Sequence, residues 1–172
     1  MGSRRNTGNV MIELPFALWI FFFVFLYPMI DLATIGLRTT FLYAAAHAAA
    51  WEAARAHTFL TSADNQKPAV QLASDTANSV ISLFGGVTIK SIQTTIITTS
   101  IGSYAATRQT TPLSAPADVS QNIYQIQVGV TAAVNPLILW KTGTASIPGL
   151  TAPMLLTFSD CQYCENTQGL DK

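Results

Sequence analysis

The chain has unusually few charged residues. Asp, Glu, Lys and Arg make up only 10% of its 172 residues, against roughly 25% in an ordinary soluble domain. Nine basic and nine acidic residues balance, and the absence of a Lys/Arg cluster leaves no footprint for nucleic acid. The chain also has no Ser-His-Asp, Walker or HExxH spacing, so no motif predicts an enzyme or a cofactor.

Cysteine is scarce as well: Cys161 and Cys164 are the only two, in a CxxC arrangement. A redox pair is one interpretation, but no helix pattern follows the motif to lower a thiol pKa. A metal site would need two further ligands, and the two histidines, His47 and His57, are poorly spaced for it. If this part of the chain is exported into an oxidising compartment, a disulfide is the favoured state. We therefore predict a disulfide between the two cysteines and no bound metal.

Apolar residues are abundant and concentrated near the beginning of the chain. The stretch from Leu14 to Ile30 contains no charged residue, and after Asp31 it continues to Leu37. Because about 20 apolar residues suffice to cross a bilayer as helix, we predict one membrane-spanning helix. Representative residues of this helix are Leu14, Ile20, Phe25 and Leu32.

The charges around this stretch predict its orientation. Arg4 and Arg5 precede it, so we expect the N-terminus to stay cytoplasmic and the rest of the chain to be exported. A cleaved secretory signal is the alternative, although the apolar run is too long for a typical one. Asp31 either marks the membrane exit, where charge is tolerated, or faces Arg38 of another subunit.

A processing motif stands before the apolar run, in the sequence RRNTGNVMIE that begins at Arg4. It resembles the prepilin processing site, at which a membrane peptidase cuts after the glycine. The cut would fall between Gly8 and Asn9, and Glu13 would become the fifth residue of the mature chain. An intramembrane carboxylate is expensive unless it is paired, and the resemblance implies that the new amine of a neighbouring subunit is the partner. The alternative is that Glu13 is interfacial and reaches the headgroups.

The alanine-rich segment YAAAHAAAWEAARA, residues 43–56, extends the resemblance. With the leader and apolar helix it resembles the TadE family of minor pilins and pilus-assembly proteins. That resemblance implies a minor pilin or pseudopilin that enters, or primes, a Tad-type pilus or secretion filament. The implied partners are a prepilin peptidase, other pilin subunits, the assembly platform and membrane lipid. N-terminal methylation after cleavage and a role in adhesion or secretion would accompany that function.

Alanine has the highest helix propensity, so the membrane helix is predicted to continue as a stalk from about Val10 to Phe59, roughly 75 Å long. Its alanines would pack mainly on the protein's own sheet and partly on neighbouring subunits. After a loop over Thr61–Pro68, an amphipathic helix is predicted over Ala69–Phe84, with its apolar stripe at Ala73, Ala77, Val80 and Phe84.

Three strands are predicted after that helix. They cover Val87–Ile101, with an irregularity at Ile96–Ile97, then Gln121–Val134 and Pro153–Phe158, and residues 102–119 form a long connection. Leu137–Trp140 is either a strand extension or a contact with lipid. The predicted class is α+β and pilin-like, with a leader over 1–8, membrane helix and stalk over 9–60, and an exported domain over 61–172.

Two other functions fit parts of the same sequence. One is a signal-anchored envelope protein that binds a partner and has no filament role, with an uncut leader. The other is a membrane-tethered thiol oxidoreductase that uses Cys161 and Cys164.

Overall fold

One long helix dominates the architecture. The computed structural model describes residues 9–63, 65–139 and 146–172, with side chains from Glu13 onward. Helix α1 (Asn9–Phe21), a π-helical segment (Phe22–Leu26) and helix α2 (Tyr27–Ala54) follow one another without a break. This confirms the predicted long helix, although it ends at Ala54 rather than Phe59. The leader with Gly8, and Trp140, lie outside the described residues.

The π-helical segment has an identifiable cause in Pro28. The Tyr27 N–H donates to the Phe22 carbonyl, five residues back, directly before this proline. Proline has no N–H, and its ring crowds the carbonyl four residues earlier. A single wider turn relieves that crowding, and π turns of this kind occur as isolated bulges inside α-helices. The helix therefore passes Pro28 without breaking.

The second helix packs beside α2. Helix α3 spans Ala69–Ser82 and buries one stripe, formed by Ala69, Ala73, Ala77 and Ile81. Ala73 and Ala77 were predicted for this stripe, and the predicted Val80 and Phe84 are partly buried at its edge. The Phe84 ring stacks on Phe41 of α2 with a centroid separation of 3.6 Å. Gly86 then turns the chain with a φ of 87°, a conformation that favours glycine.

A four-stranded antiparallel sheet completes the fold. Its strands are β1 (Val87–Ser100), β2 (Ala106–Gln109), β3 (Asn122–Val134) and β4 (Met154–Tyr163). They lie in the order β2-β1-β3-β4. β2 falls in the predicted connection over residues 102–119, which is a correction. β4 extends beyond the predicted Phe158 because its polar second half pairs with β3.

The predicted irregularity in β1 is in the wrong place. The register shift lies between Ile89 and Ser91. Ile96 and Ile97 pair regularly with β3 on one side and β2 on the other, and both are buried. The two adjacent isoleucines thus lie in a regularly paired interior strand, one on each face of the sheet.

The sheet has one apolar face and one polar face. Along β3, Tyr124, Ile126, Val128 and Val130 alternate with more polar residues and are buried. They pack on α2, and they share one core with the buried alanines of α2 and α3. On the opposite face Gln127 Nε2 donates to Ser159 Oγ at 3.2 Å. Helices cover one side of a small antiparallel sheet, and this two-layer α+β fold is of the predicted pilin-like class.

The segment 165–172, named here the strap, closes the core where α2 ends. The Phe59 N–H lies 3.0 Å from the Gly169 carbonyl and 3.0 Å from that of Lys172. Phe59 is fully buried and Leu170 almost so. The early end of α2 follows from these contacts, because residues 56–59 turn inward to meet the strap.

Candidate membrane and assembly surface

The first part of the long helix exposes most of its large apolar side chains. Leu14, Ile20, Phe25 and Leu32, which the sequence places in the membrane helix, are all exposed. Glu13–Ala54 forms one helix of 42 residues that is long and apolar enough to cross a membrane, with a mean hydropathy of 2.0 in its most apolar window. A large, continuous exposed apolar surface of this kind marks a contact with lipid or with other protein chains.

Glu13 lies directly before this exposed apolar part of the helix. Its side chain is exposed, and no ion pair involves it among the residues the structure describes. The apolar side chains that follow place the carboxylate at the edge of a membrane-sized segment. A cationic partner for it could come from residues outside the described ranges, such as the leader, from lipid headgroups or from another molecule. The backbone of Asn9 lies in α1, one turn before Glu13.

Asp31 and Arg38 both bind the chain's own loop between β3 and β4. Asp31 is 0% exposed, and its Oδ1 accepts a hydrogen bond from the Ile138 N–H at 3.0 Å. The Arg38 guanidinium donates to the Asn135 carbonyl. The idea that Asp31 faces Arg38 of another subunit therefore loses support, because both side chains are engaged within one chain.

The alanine-rich part of α2 divides into a buried and an exposed face. Its buried alanines, all 0% exposed, are Ala45, Ala46, Ala49, Ala50 and Ala53. This confirms that these alanines pack within the protein's own fold, and packing on neighbouring subunits stays a prediction. Small side chains allow that close approach. The exposed face carries Tyr43, His47, Trp51 and Arg55 at intervals of four, with the Arg55 guanidinium over the Trp51 ring at 5.9 Å.

Cys161 lies in β4 and Cys164 directly follows it, and the two point to opposite faces of the sheet. Cys161 is paired with Gln127 on the polar face, whereas Cys164 lies opposite Tyr124 and packs against the core. Residues three apart in an extended strand point in opposite directions. Both thiols are free, so joining them would require the end of β4 to rearrange. The disulfide stays a prediction.

Neither thiol has the electrostatic environment of an activated cysteine. Burial raises the pKa of Cys164 to about 11. Burial, with the Asp160 carboxylate nearby, also raises the pKa of Cys161. Thiol–disulfide chemistry requires the thiolate, and these raised pKa values reduce its population at neutral pH. In the described part of the chain, no group of three or more His, Cys, Asp or Glu could hold a metal ion.

A polar contact that the sequence did not reveal joins α2 to β4. His47 Nδ1 lies 2.7 Å from Asp160 Oδ2, which also accepts a hydrogen bond from Gln162 Nε2 at 2.8 Å. Burial acts to raise the pKa of Asp160, but the bonds from Gln162, His47 and the Cys161 N–H outweigh it and hold this pKa below its usual range. No local pattern could have paired residues 113 positions apart.

This contact makes stability depend on pH. A carboxyl with a lowered folded-state pKa stabilises the fold above its ordinary pKa, near 4, and that stability is lost as pH falls through the folded pKa. Asp160→Asn should therefore remove about 1 kcal/mol at pH 7 and flatten the loss of stability below about pH 4. Urea unfolding of the detergent-solubilised chain from pH 2 to 7 measures this. Ser159→Ala, next door on the other face, should keep the wild-type acid profile, and an Asp160→Asn profile identical to wild type would contradict the prediction.

Comparison of the chain with protein-family models, with curated proteins and with solved structures finds no match. The description of the chain therefore rests on its own structure, in which one apolar helix long enough to cross a membrane continues into a two-layer α+β fold.

Proposed function

We propose that this chain is a minor pilin or pseudopilin, or a closely related pilus-assembly protein, of the TadE kind. A prepilin peptidase would cut it after Gly8 at the inner membrane. The mature helix would then be drawn into, or prime, a Tad-type pilus or secretion filament. Other pilin subunits and the assembly platform are its partners in this proposal. The α+β part would lie outside the cytoplasm and present the surface.

One observation carries the proposal. A carboxylate follows Gly8 by five residues and stands at the head of a helix whose large apolar side chains are exposed. A carboxylate at the edge of hydrocarbon needs a positive partner. The new α-amino group of Asn9 on a neighbouring subunit has the required charge and comes from the same end of the helix. Such a pair would also set the axial register between packed helices.

The continuity of the helix is a second support. From Asn9 to Ala54 it extends about 70 Å at 1.5 Å per residue, more than twice the hydrocarbon thickness of a bilayer. The part beyond the apolar segment forms the core of the α+β fold. A helix that is shared between anchor and core transmits a pull on one end rigidly to the other, which suits extraction from a membrane into a filament.

The decisive experiment is the mass and N-terminal residue of the protein purified from membranes of cells that possess a prepilin peptidase. We expect the chain to begin at Asn9, with or without methylation, and Gly8→Val to leave the leader uncut. Gly2→Val, a matched change inside the leader, should leave cleavage intact. Recovery of the wild-type chain with its leader attached would overturn the proposal. A signal-anchored envelope protein that binds a partner would then be the better description.

A further inference from the structure

The loop between β3 and β4 returns to the long helix and lies along one side of it. Ile138 donates its N–H to Asp31, and Asn135 accepts from Arg38. A methyl group built on Gly149 would lie only 3.0 Å from Ile35 Cδ1. Positions 31, 35 and 38 lie on one face of a helix. The described parts of this loop, residues 135–139 and 146–150, are named here the docked loop.

The docked loop covers the carboxylate of Asp31, whose distance along the helix from Glu13 is close to the thickness of a bilayer. Asp31 lies about 27 Å along the helix axis from Glu13, and the hydrocarbon core of a bilayer is about 30 Å thick. If the apolar segment spans a membrane from Glu13, Asp31 therefore lies close to the opposite boundary. A carboxylate there is costly when it faces lipid. The docked loop leaves it 0% exposed and supplies one hydrogen bond.

The side chains of the docked loop are themselves apolar and exposed. Leu137 is 54% exposed, Leu139 48% and Ile147 51%. Surface loops normally carry polar residues and contact water. Leu137 and Leu139 flank Ile138, which binds Asp31, and Ile147 lies two residues before Gly149, which approaches Ile35. These exposed aliphatic side chains add apolar surface beside that of the helix. On the helix, Met29 and Leu32 are exposed at the same height.

We propose that the docked loop is an interfacial membrane contact, with Leu137, Leu139 and Ile147 inserted shallowly into the lipid leaflet from which α2 emerges. The partner is the bilayer, since the apolar surface of the docked loop continues that of the helix at a depth fixed by the Asp31 and Arg38 contacts. The inference rests on the helix crossing a membrane. It does not rest on filament assembly. The contact would set the height and tilt of the α+β part on the membrane.

Depth-dependent fluorescence quenching tests this on the full chain. Cys161→Ser with Cys164→Ser provides the background for single cysteines that carry an environment-sensitive fluorophore. The test position is Leu139→Cys. Val24→Cys, 58% exposed, reports the bilayer centre. Tyr104→Cys, 84% exposed, reports water, because it follows the far end of β1, whose 14 residues span about 45 Å.

The labelled chains are reconstituted into phosphatidylcholine vesicles that contain lipid with a nitroxide at carbon 5 or carbon 12 of the acyl chain. We expect the Leu139 probe to be quenched at least twofold more by the shallow nitroxide than by the deep one. The Val24 probe should show the reverse order, and the Tyr104 probe should not be quenched.

Three outcomes would overturn the inference, and they differ from one another. A Leu139 probe that behaves like Tyr104 while Val24 is quenched would place the docked loop in water and leave the membrane helix intact. A Leu139 probe shielded from both nitroxides but self-quenched as protein density rises would identify a second copy as the occupant. Absence of quenching at Val24 would remove the membrane helix itself. None of these depends on cleavage after Gly8. The first two leave the proposed function untouched, and only the third, which removes the membrane helix, would also count against it.

Discussion

Gly169→Ala should lower the free energy of unfolding by about 3 kcal/mol or more, which corresponds to a fall in Tm of roughly 10 °C for a chain of this size. A Cβ atom at Gly169 would lie 1.7 Å from the His57 carbonyl oxygen and 3.1 Å from Thr58 Cα. Both neighbours are backbone atoms, so no side chain can rotate away to relieve the clash. Either the strap or residues 57–58 must move.

Movement of the strap is costly because it is bound from several sides. The Leu113 N–H donates to the Leu170 carbonyl at 2.8 Å, and the Leu60 N–H to that of Lys172 at 2.8 Å. Leu170 is also part of the core. Displacement would leave these donors unpaired and expose apolar surface, and an unsatisfied buried group costs about 1–3 kcal/mol.

Thermal unfolding of the full chain in detergent, followed by near-ultraviolet circular dichroism, measures the effect. Gly102→Ala is the matched control, because nothing lies within 4 Å of a Cβ atom there. Equal melting temperatures for the two variants would contradict the close approach of the strap to residues 57–58.

Glu13→Gln is expected to reduce filament number by roughly 100-fold while leaving cleavage after Gly8 and the fold unchanged. If Glu13 pairs with the amine of a neighbouring subunit in hydrocarbon, loss of its charge leaves that amine buried and unpaired. Breaking such a pair costs about 3 kcal/mol or more, and this energy corresponds to the factor of 100. The fold should be unaffected, since Glu13 is exposed and makes no ion pair within the described residues.

Filament counts by electron microscopy, together with the mass of the mature chain, test this prediction. Glu52→Gln provides the control on the same helix, far from the apolar segment, and should leave the filament number unchanged. Normal filament numbers in Glu13→Gln cells would refute the assembly role of Glu13. Processing at Gly8 would remain a separate question, answered by the mass.

The elements that the sequence predicted well are those with a strong local period. The inward residues of β3 alternate without error, and α3 repeats alanine every four residues. The long helix follows from an apolar run joined to an alanine-rich one. Each of these signals is contained within a single element, so no knowledge of the tertiary structure is needed to read it.

The elements that were missed or misplaced depend on distant neighbours. β2 is four residues long and mostly exposed, so pairing with β1, rather than its own composition, makes it a strand. The end of α2 depends on the strap, more than a hundred positions away in the sequence. The same is true of the His47–Asp160 contact and of the docking of Ile138 on Asp31. Long-range contacts of this kind leave no local pattern in either partner.

The π turn before Pro28 determines which way Glu13 points. In an uninterrupted α-helix, Glu13 and Asp31 would be separated by five full turns at 3.6 residues per turn and would lie on one line. A π turn accommodates about one extra residue, which rotates everything before it by about 100° about the axis. Glu13 is therefore turned about a quarter of the circumference away from the docked loop. A neighbouring helix can therefore approach the Glu13 carboxylate from a side of the helix that the docked loop of the same chain does not cover.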